Sequence, residues 1–308
     1  MLQSLLVPLD GSEFSERTLP LVRGLARATG ATVHVAHVHT PHRPDGLLMN
    51  PQFHFEGLDM EEYDQRHRSK EARYLKEVVE RLTDGEDAVV DSVILDGEVA
   101  GEVASYADKV HADMVVIATH AHSGIGRMWL GSVTDALLHI THAPLLVLHP
   151  RKGHHVPDAV PSFSHVLVAL DGSALSESIL GPAVDLAKAT GARITLAHVV
   201  ATESIMGGHF FPVLTGDLTP TVSRARNYLE TVARRLRFPR LDVDIHVETH
   251  ERPSQAISEM AGRLHADVIA LSTHGYSGIR RALVGSVADK VLKESEVPLL
   301  VMRPLDHP

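Results

Sequence analysis

Two short segments, each present twice in the chain, carry the residue types that handle anions. The first is Asp10-Gly11-Ser12, matched later by Asp171-Gly172-Ser173. The second begins at Ala118-Thr119-His120-Ala121 and, after nine residues, reaches Gly131-Ser132-Val133; its match runs from Ser272-Thr273-His274-Gly275, again across nine residues, to Gly285-Ser286-Val287. Residues with little or no side chain let backbone N–H groups approach phosphate oxygens, and glycine also reaches φ > 0 without penalty. A helix that opens at Gly-Ser adds its N-terminal dipole and a hydroxyl to such a cradle. Alanine meets the first requirement only: forced to φ > 0, Ala121 would cost about 1 kcal/mol where Gly275 costs nothing. A small-residue loop before a helix is, taken singly, more often a turn than a phosphate cradle, and Asp10 and Asp171 taken singly read as turn residues. The case rests on both segments recurring together.

Other chemistries find less support. The chain has no cysteine, which removes disulfides, thiolate metal sites and thiol nucleophiles. No Gly-x-Ser-x-Gly elbow, HExxH or Walker lysine occurs, so a dedicated enzyme is not expected, and slow ATP hydrolysis is the most that Asp171 as a general base would support. Histidines number 22 and are mostly scattered. His37 and His198 fall in strands and read as packing residues, His149, His154 and His155 fall in a linker, and His120 and His122 flank the first small-residue loop, where they could contact an anion. No metal is assigned. A formal charge of −10 argues against nucleic acid and against anionic membrane surfaces as partners. No apolar run approaches the roughly 20 residues of a membrane span, and the first residues lack a basic leader, so a cytoplasmic location is expected.

The elements that would position these segments form an internal repeat. Leu5 to Ser12 returns as Val166 to Ser173, and Ala36-His37-Val38 as Ala197-His198-Val199, both at an offset of 161. Further on, the offset is 154. It relates Tyr74-Leu75 to Tyr228-Leu229, His111-Ala112-Asp113 to His265-Ala266-Asp267, Gly131-Ser132-Val133 to Gly285-Ser286-Val287, and Pro144 to Val147 with Pro298 to Val301. The second copy has therefore lost seven residues between its second strand and second helix, a loss that a surface loop absorbs. Within the first copy, near-continuous apolar runs over Ser4 to Leu9, Thr32 to Val38, Val89 to Leu95, Met114 to Ala118 and Leu145 to Leu148 predict strands of a parallel sheet buried on both faces. Val103, Tyr106, Ala107 and Val110 keep helical spacing, as do Ile257, Met260, Ala261 and Leu264. Ser12 and Ser173 are expected to cap the first helix of each copy, and Gly30 and Gly191 to end it. Pro8 must sit at the strand's end to be tolerated. The segments from Thr40 to about Arg68 and from Ala201 to about Ser223 read as loops with one helical turn at most. The reading is α/β, with a first domain over 1–150, a proline-punctuated linker over 151–163 and a second domain over 164–305.

In this pattern the chain resembles the universal stress protein family, in its tandem form and its ATP-binding branch. That branch carries Gly-x-x-Gly, nine residues and Gly-Ser or Gly-Thr after the fourth strand. The second copy departs only in Ser272 for the first glycine; the first has Ala118 and Ala121 for both leading glycines. The resemblance implies two Rossmann-like doubly wound domains, each a five-stranded parallel sheet of order 3-2-1-4-5. It implies a nucleotide site in which Asp171 and the backbone of Val199 meet the adenine and ribose end while Ser272, Gly275, Gly285, Ser286 and Val287 serve the phosphates. Asp10, Val38, Ala118, Ala121, Gly131, Ser132 and Val133 are the first-copy counterparts. The implied ligand is ATP with Mg²⁺, and the implied role a stress-response regulator acting on an unknown protein partner. Two other readings stay open: a slow ATP-hydrolysing or adenylating enzyme, and an interaction module with vestigial pockets. Since family domains commonly pair through the last strand, the two copies are expected to dock through Leu145–Leu148 and Leu299–Val301, and a homodimer of whole chains is a further expectation.

Overall fold

The computed structural model describes residues 1–40, 60–84, 88–119, 130–149, 163–202, 205–206, 209–210, 218–236, 238–239, 241–273, 285–295 and 297–304. The 151–163 linker therefore lies outside the described residues apart from its last position. In the first half β1 (Ser4–Pro8), β2 (Thr32–His39), β3 (Val90–Asp96), β4 (Met114–Ala118) and β5 (Leu145–Leu148) alternate with α1 (Leu19–Thr29), α2 (Met60–Thr83), α3 (Val99–Lys109) and α4 (Ser132–Ile140). The second half repeats the order with β6 (His165–Ala169), α5 (Leu180–Thr190), β7 (Arg193–Ala201), a two-stranded hairpin of β8 (Ile205–Met206) and β9 (His209–Phe210), α6 (Thr219–Arg235), β10 (Val243–His250), α7 (Pro253–Leu264), β11 (Val268–Ser272), α8 (Ser286–Glu294) and β12 (Leu299–Met302).

Each half contributes five parallel strands in the order 3-2-1-4-5, and the two sets join into one ten-stranded sheet ordered β10-β7-β6-β11-β12-β5-β4-β1-β2-β3. The join is antiparallel. Leu299 faces Val147, Leu300 faces Leu146 and Val301 faces Leu145, so the docking expected of the last strands is observed and two exposed apolar edges are removed. Strands β1, β4, β6 and β11 are buried along nearly their whole length, as the Val/Ile/Leu runs require with helices on both faces. The apolar layer on one face runs continuously from Leu21 and Leu25 of α1 to Leu186 of α5, and the layer on the other from Val103 and Leu137 to Met260 and Val291. The halves thus share their cores as well as their sheet.

Several local expectations hold and three change. Gly30 and Gly191 end α1 and α5 in the left-handed conformation, at φ of 72° and 73°. Pro8 is the last residue of β1. Ser12 and Ser173 do cap, but not the α-helices: each accepts a 3.1 Å bond from the N–H of Ser15 or Ser176 and so starts the single 3₁₀ turn that precedes α1 or α5. The segment before Arg68 is helical from Met60 onward, and the segment before Ser223 contains the hairpin and the start of α6 at Thr219. The reason lies outside local periodicity. Glu62–Arg66 and Asp64–Arg68 pairs one turn apart support the polar first turns of α2, and Arg68 reaches across to Asp96 on β3.

The repeated His-Ala-Asp has a structural role. The Asp113 carboxylate accepts the N–H groups of Gln3 and Ser4 at 2.6 and 3.0 Å, and Asp267 accepts those of Ser164 and His165 at 2.6 and 2.9 Å. Each aspartate thus ties the start of the first strand to the start of the fourth. His111 and His265 turn the chain out of the preceding helix at positive φ, 47° and 53°.

Candidate functional site

In both halves a cavity opens at the carboxyl ends of the first, second and fourth strands, where strand order reverses and open α/β sheets collect ligands. The first-half cavity has a volume of about 590 Å³, the second-half cavity about 190 Å³. Asp10, Val38, Ala118, Gly131, Ser132 and Val133 all line the first. Asp171, Val199, Ser272, Gly285, Ser286 and Val287 all line the second. Ala121 and Gly275, together with His120 and His122, lie outside the described residues.

Each acidic turn is built the same way. The Asp10 carboxylate accepts the Ser12 N–H at 2.9 Å and the Ser12 hydroxyl at 2.6 Å, and Asp171 repeats both distances with Ser173. Gly11 and Gly172 sit at φ of 81° and 88°, a conformation that any side chain would strain. Partial burial pushes the Asp10 pKa upward, but the hydrogen bonds from Ser12 and Ser15 outweigh it and hold the carboxyl below its ordinary range. It is a fixed anion, suited to accepting a hydroxyl or amino hydrogen.

The opposite wall is the start of the last helix. Gly131 and Gly285 occupy the N-cap positions of α4 and α8 with no side-chain cap. The first-turn N–H groups at Ser132, Val133 and their counterparts therefore border the cavities without a capping side chain, and the helix dipole adds partial positive charge there. Gly131 donates its own N–H to the Thr119 hydroxyl at 2.9 Å, whereas Gly285 donates to the Thr273 carbonyl at 2.7 Å. The two ends are thus complementary in sign, with an acceptor at the strand-one turn and donors at the helix.

The side wall of the first cavity carries no motif of its own in the sequence. Lys70, Glu71 and Tyr74 of α2 line the first cavity, with His37 of β2 and Val99 and Val103 of α3. His37 is therefore a cavity residue, not only a packing one: its Nδ1 donates to the Leu9 carbonyl at 2.8 Å and its Nε2 lies 3.5 Å from Glu71 Oε1. Its edge meets Tyr74 at 6.3 Å between ring centroids, a contact repeated between His198 and Tyr228. The recurrence of Ala-His-Val and of Tyr-Leu was the available signal. Behind Glu71 lies His39, fully buried, with Nδ1 2.8 Å from Glu71 Oε2 and Nε2 2.8 Å from Asp64 Oδ1. Two carboxylates facing the two ring nitrogens favour the protonated ring, in which both nitrogens donate. Burial opposes that charge, but the bonds to Asp64 and Glu71 prevail and raise the His39 pKa. Burial pushes the His198 pKa the other way, below its ordinary value.

Among the described residues no three His, Asp or Glu side chains group to hold a metal ion, and no helix is long and apolar enough to cross a membrane.

The model of the universal stress protein family matches the chain twice, over residues 1–149 and 162–303, and the chain belongs to that family. A universal stress protein of Mycolicibacterium smegmatis is 27% identical over 312 residues, covering 97% of both chains. One from Mycobacterium tuberculosis is 25% identical over 314 residues, covering 97% of this chain and 94% of its own. The crystal structure of a universal stress protein from Archaeoglobus fulgidus superposes with a TM-score of 0.66 at 20% identity, covering 97% of this chain and 98% of that one. The likeness to the solved structure concerns the fold, and the two mycobacterial relatives match over nearly the whole of both chains.

Proposed function

We propose that this protein binds adenine nucleotide, ATP with Mg²⁺, in a cavity of each half and serves as a stress-response regulator in the cytoplasm whose presented surface changes with occupancy. The observation that carries the reading is the recurrence, in both halves, of one constellation around one cavity. It comprises an aspartate held by its own serine after the first strand, a valine at the end of the second, and a Gly-Ser helix start without a side-chain cap. The helix start suits phosphates. The apolar flank of Val38, Val99, Val103 and Ile117 suits a purine, and the aspartate suits the hydroxyl-bearing sugar. Domain limits near 150 and 164 go with the same reading, since the described lining of each pocket comes from one half alone.

Mass spectrometry of the supernatant after denaturing the purified protein tests the reading. Adenine nucleotide in proportion to protein is the expected result; its absence, with no uptake of added ATP, would favour the reading as an interaction module with vestigial pockets. Many turnovers per minute with Mg²⁺ and ATP would instead favour an enzyme.

A further inference from the structure

The two halves differ where α2 and α6 pass the cavity. Offset pairing places Ala225 at the position of Glu71, and Val200 at that of His39. The polar contacts behind the first cavity are therefore replaced by apolar residues behind the second. Burying a carboxylate in place of an alanine costs free energy unless its oxygens are satisfied, and here they are partly satisfied from behind: Oε2 by His39, with Oε1 facing His37. Each carboxylate oxygen has two lone pairs, so both retain acceptor capacity. Glu71 keeps 15% of its side chain exposed and lines the cavity at the wall formed by α2, apart from the α4 start.

A carboxylate held in this way has a definite preference. It accepts hydrogen bonds from hydroxyl or amino groups and repels phosphate. A nucleotide with its phosphates at the α4 start would turn its uncharged, donor-bearing end toward α2. We propose that Glu71 gives the first-half pocket a second acceptor for the ribose hydroxyls beside Asp10, and so a stronger selectivity for them than the second half, where Asp171 acts alone because Ala225 cannot accept. The proposal rests on the nucleotide reading above. His39 is the positioning residue: hydrogen-bonded to Glu71 and Asp64, it fixes the carboxylate's rotamer.

The test compares ATP with 2′,3′-dideoxy-ATP by calorimetry on the full chain, with the second pocket closed by Gly285→Val, where a Cβ already meets the Thr273 carbonyl at 3.1 Å. In that background ATP should bind about a hundredfold more tightly than the dideoxy analogue, about tenfold for a hydrogen bond to each of the charged acceptors Asp10 and Glu71. Glu71→Ala should lower the ratio about tenfold, to what Asp10 alone supports, and Glu71→Gln, which keeps an acceptor oxygen and the side-chain volume, should retain an intermediate ratio. A purely structural role for Glu71 would weaken both ligands equally and leave the ratio unchanged, which would overturn the proposal while the nucleotide reading stood. Binding of ATP by neither the Gly285→Val protein nor the unmodified chain would overturn both.

Discussion

Gly131 and Gly285 occupy the same place in the two halves, yet alanine should be tolerated at one and not at the other. A Cβ added to Gly131 would lie 3.6 Å from the Thr119 hydroxyl oxygen, an ordinary van der Waals contact; one added to Gly285 would lie 3.1 Å from the Thr273 carbonyl oxygen. Neither glycine has positive φ, so only space distinguishes them. The crowded oxygen is also the acceptor of the 2.7 Å bond from the Gly285 N–H, so it cannot retreat without lengthening that bond. Relief by a few tenths of an ångström would move the start of α8, and overpacking of this kind costs on the order of 1–2 kcal/mol. If the phosphates are held by that helix start, Gly285→Ala should weaken ATP binding at the second pocket about tenfold, the equivalent of about 1.4 kcal/mol, while Gly131→Ala should change the first pocket less than about twofold. Calorimetry on each variant, with thermal melting to register any loss of stability, measures both. Equal losses in the two variants would show instead that the Cβ obstructs the ligand in both pockets and not the neighbouring chain in one.

The loop glycine makes a second comparison. Gly275→Val should abolish most binding at the second pocket, and Ala121→Gly should improve the first by up to about tenfold, if the residue at that position takes φ > 0; retained stoichiometry in Gly275→Val would reverse the assignment. Two histidines should shape stability in opposite directions. Burial lowers the His149 pKa from 6.5 to about 4, so the unfolded chain takes up the proton first, and stability should fall as pH drops from about 6.5 to 4 by on the order of 3 kcal/mol. His149→Leu should flatten that limb in urea titrations followed across pH. His39, whose folded pKa is raised, contributes stability that is complete below about 6.5 and is lost as pH climbs through the raised value. His39→Gln should therefore narrow the stability difference between pH 6 and pH 9. Sedimentation at high concentration showing only a 33.5 kDa species would end the expectation of a homodimer of whole chains.

The residues explain which features could be read in advance. Strands β1, β4, β6 and β11 are buried on both faces, so their apolar runs are unbroken, while the pairing of β5 with β12 was implied by the family resemblance together with the hazard of an uncovered edge strand. Asp10, Gly131 and Ser132 were legible because they recur with their spacing. Glu71 was not: its partner His39 is 32 residues distant, and in the sequence it is one more acidic residue on a polar helix. The first turns of α2 escaped for a related cause, since side-chain pairs and the Arg68–Asp96 bridge support them where no apolar stripe does. The capping role of Ser12 was displaced by four residues of 3₁₀ turn that polar-residue spacing does not reveal.

On the proposed function, each half holds an adenine nucleotide between its aspartate turn and its last helix. Titration of the nucleotide-stripped full chain with ATP and Mg²⁺, repeated on an Asp10→Ala, Asp171→Ala double variant, tests it most directly. Two unequal sites in the unmodified chain, both weakened about tenfold or more in the variant, are expected, since each lost acceptor removes a hydrogen bond to a charged group. No binding in the unmodified chain, or binding unaltered in the variant, would contradict the account.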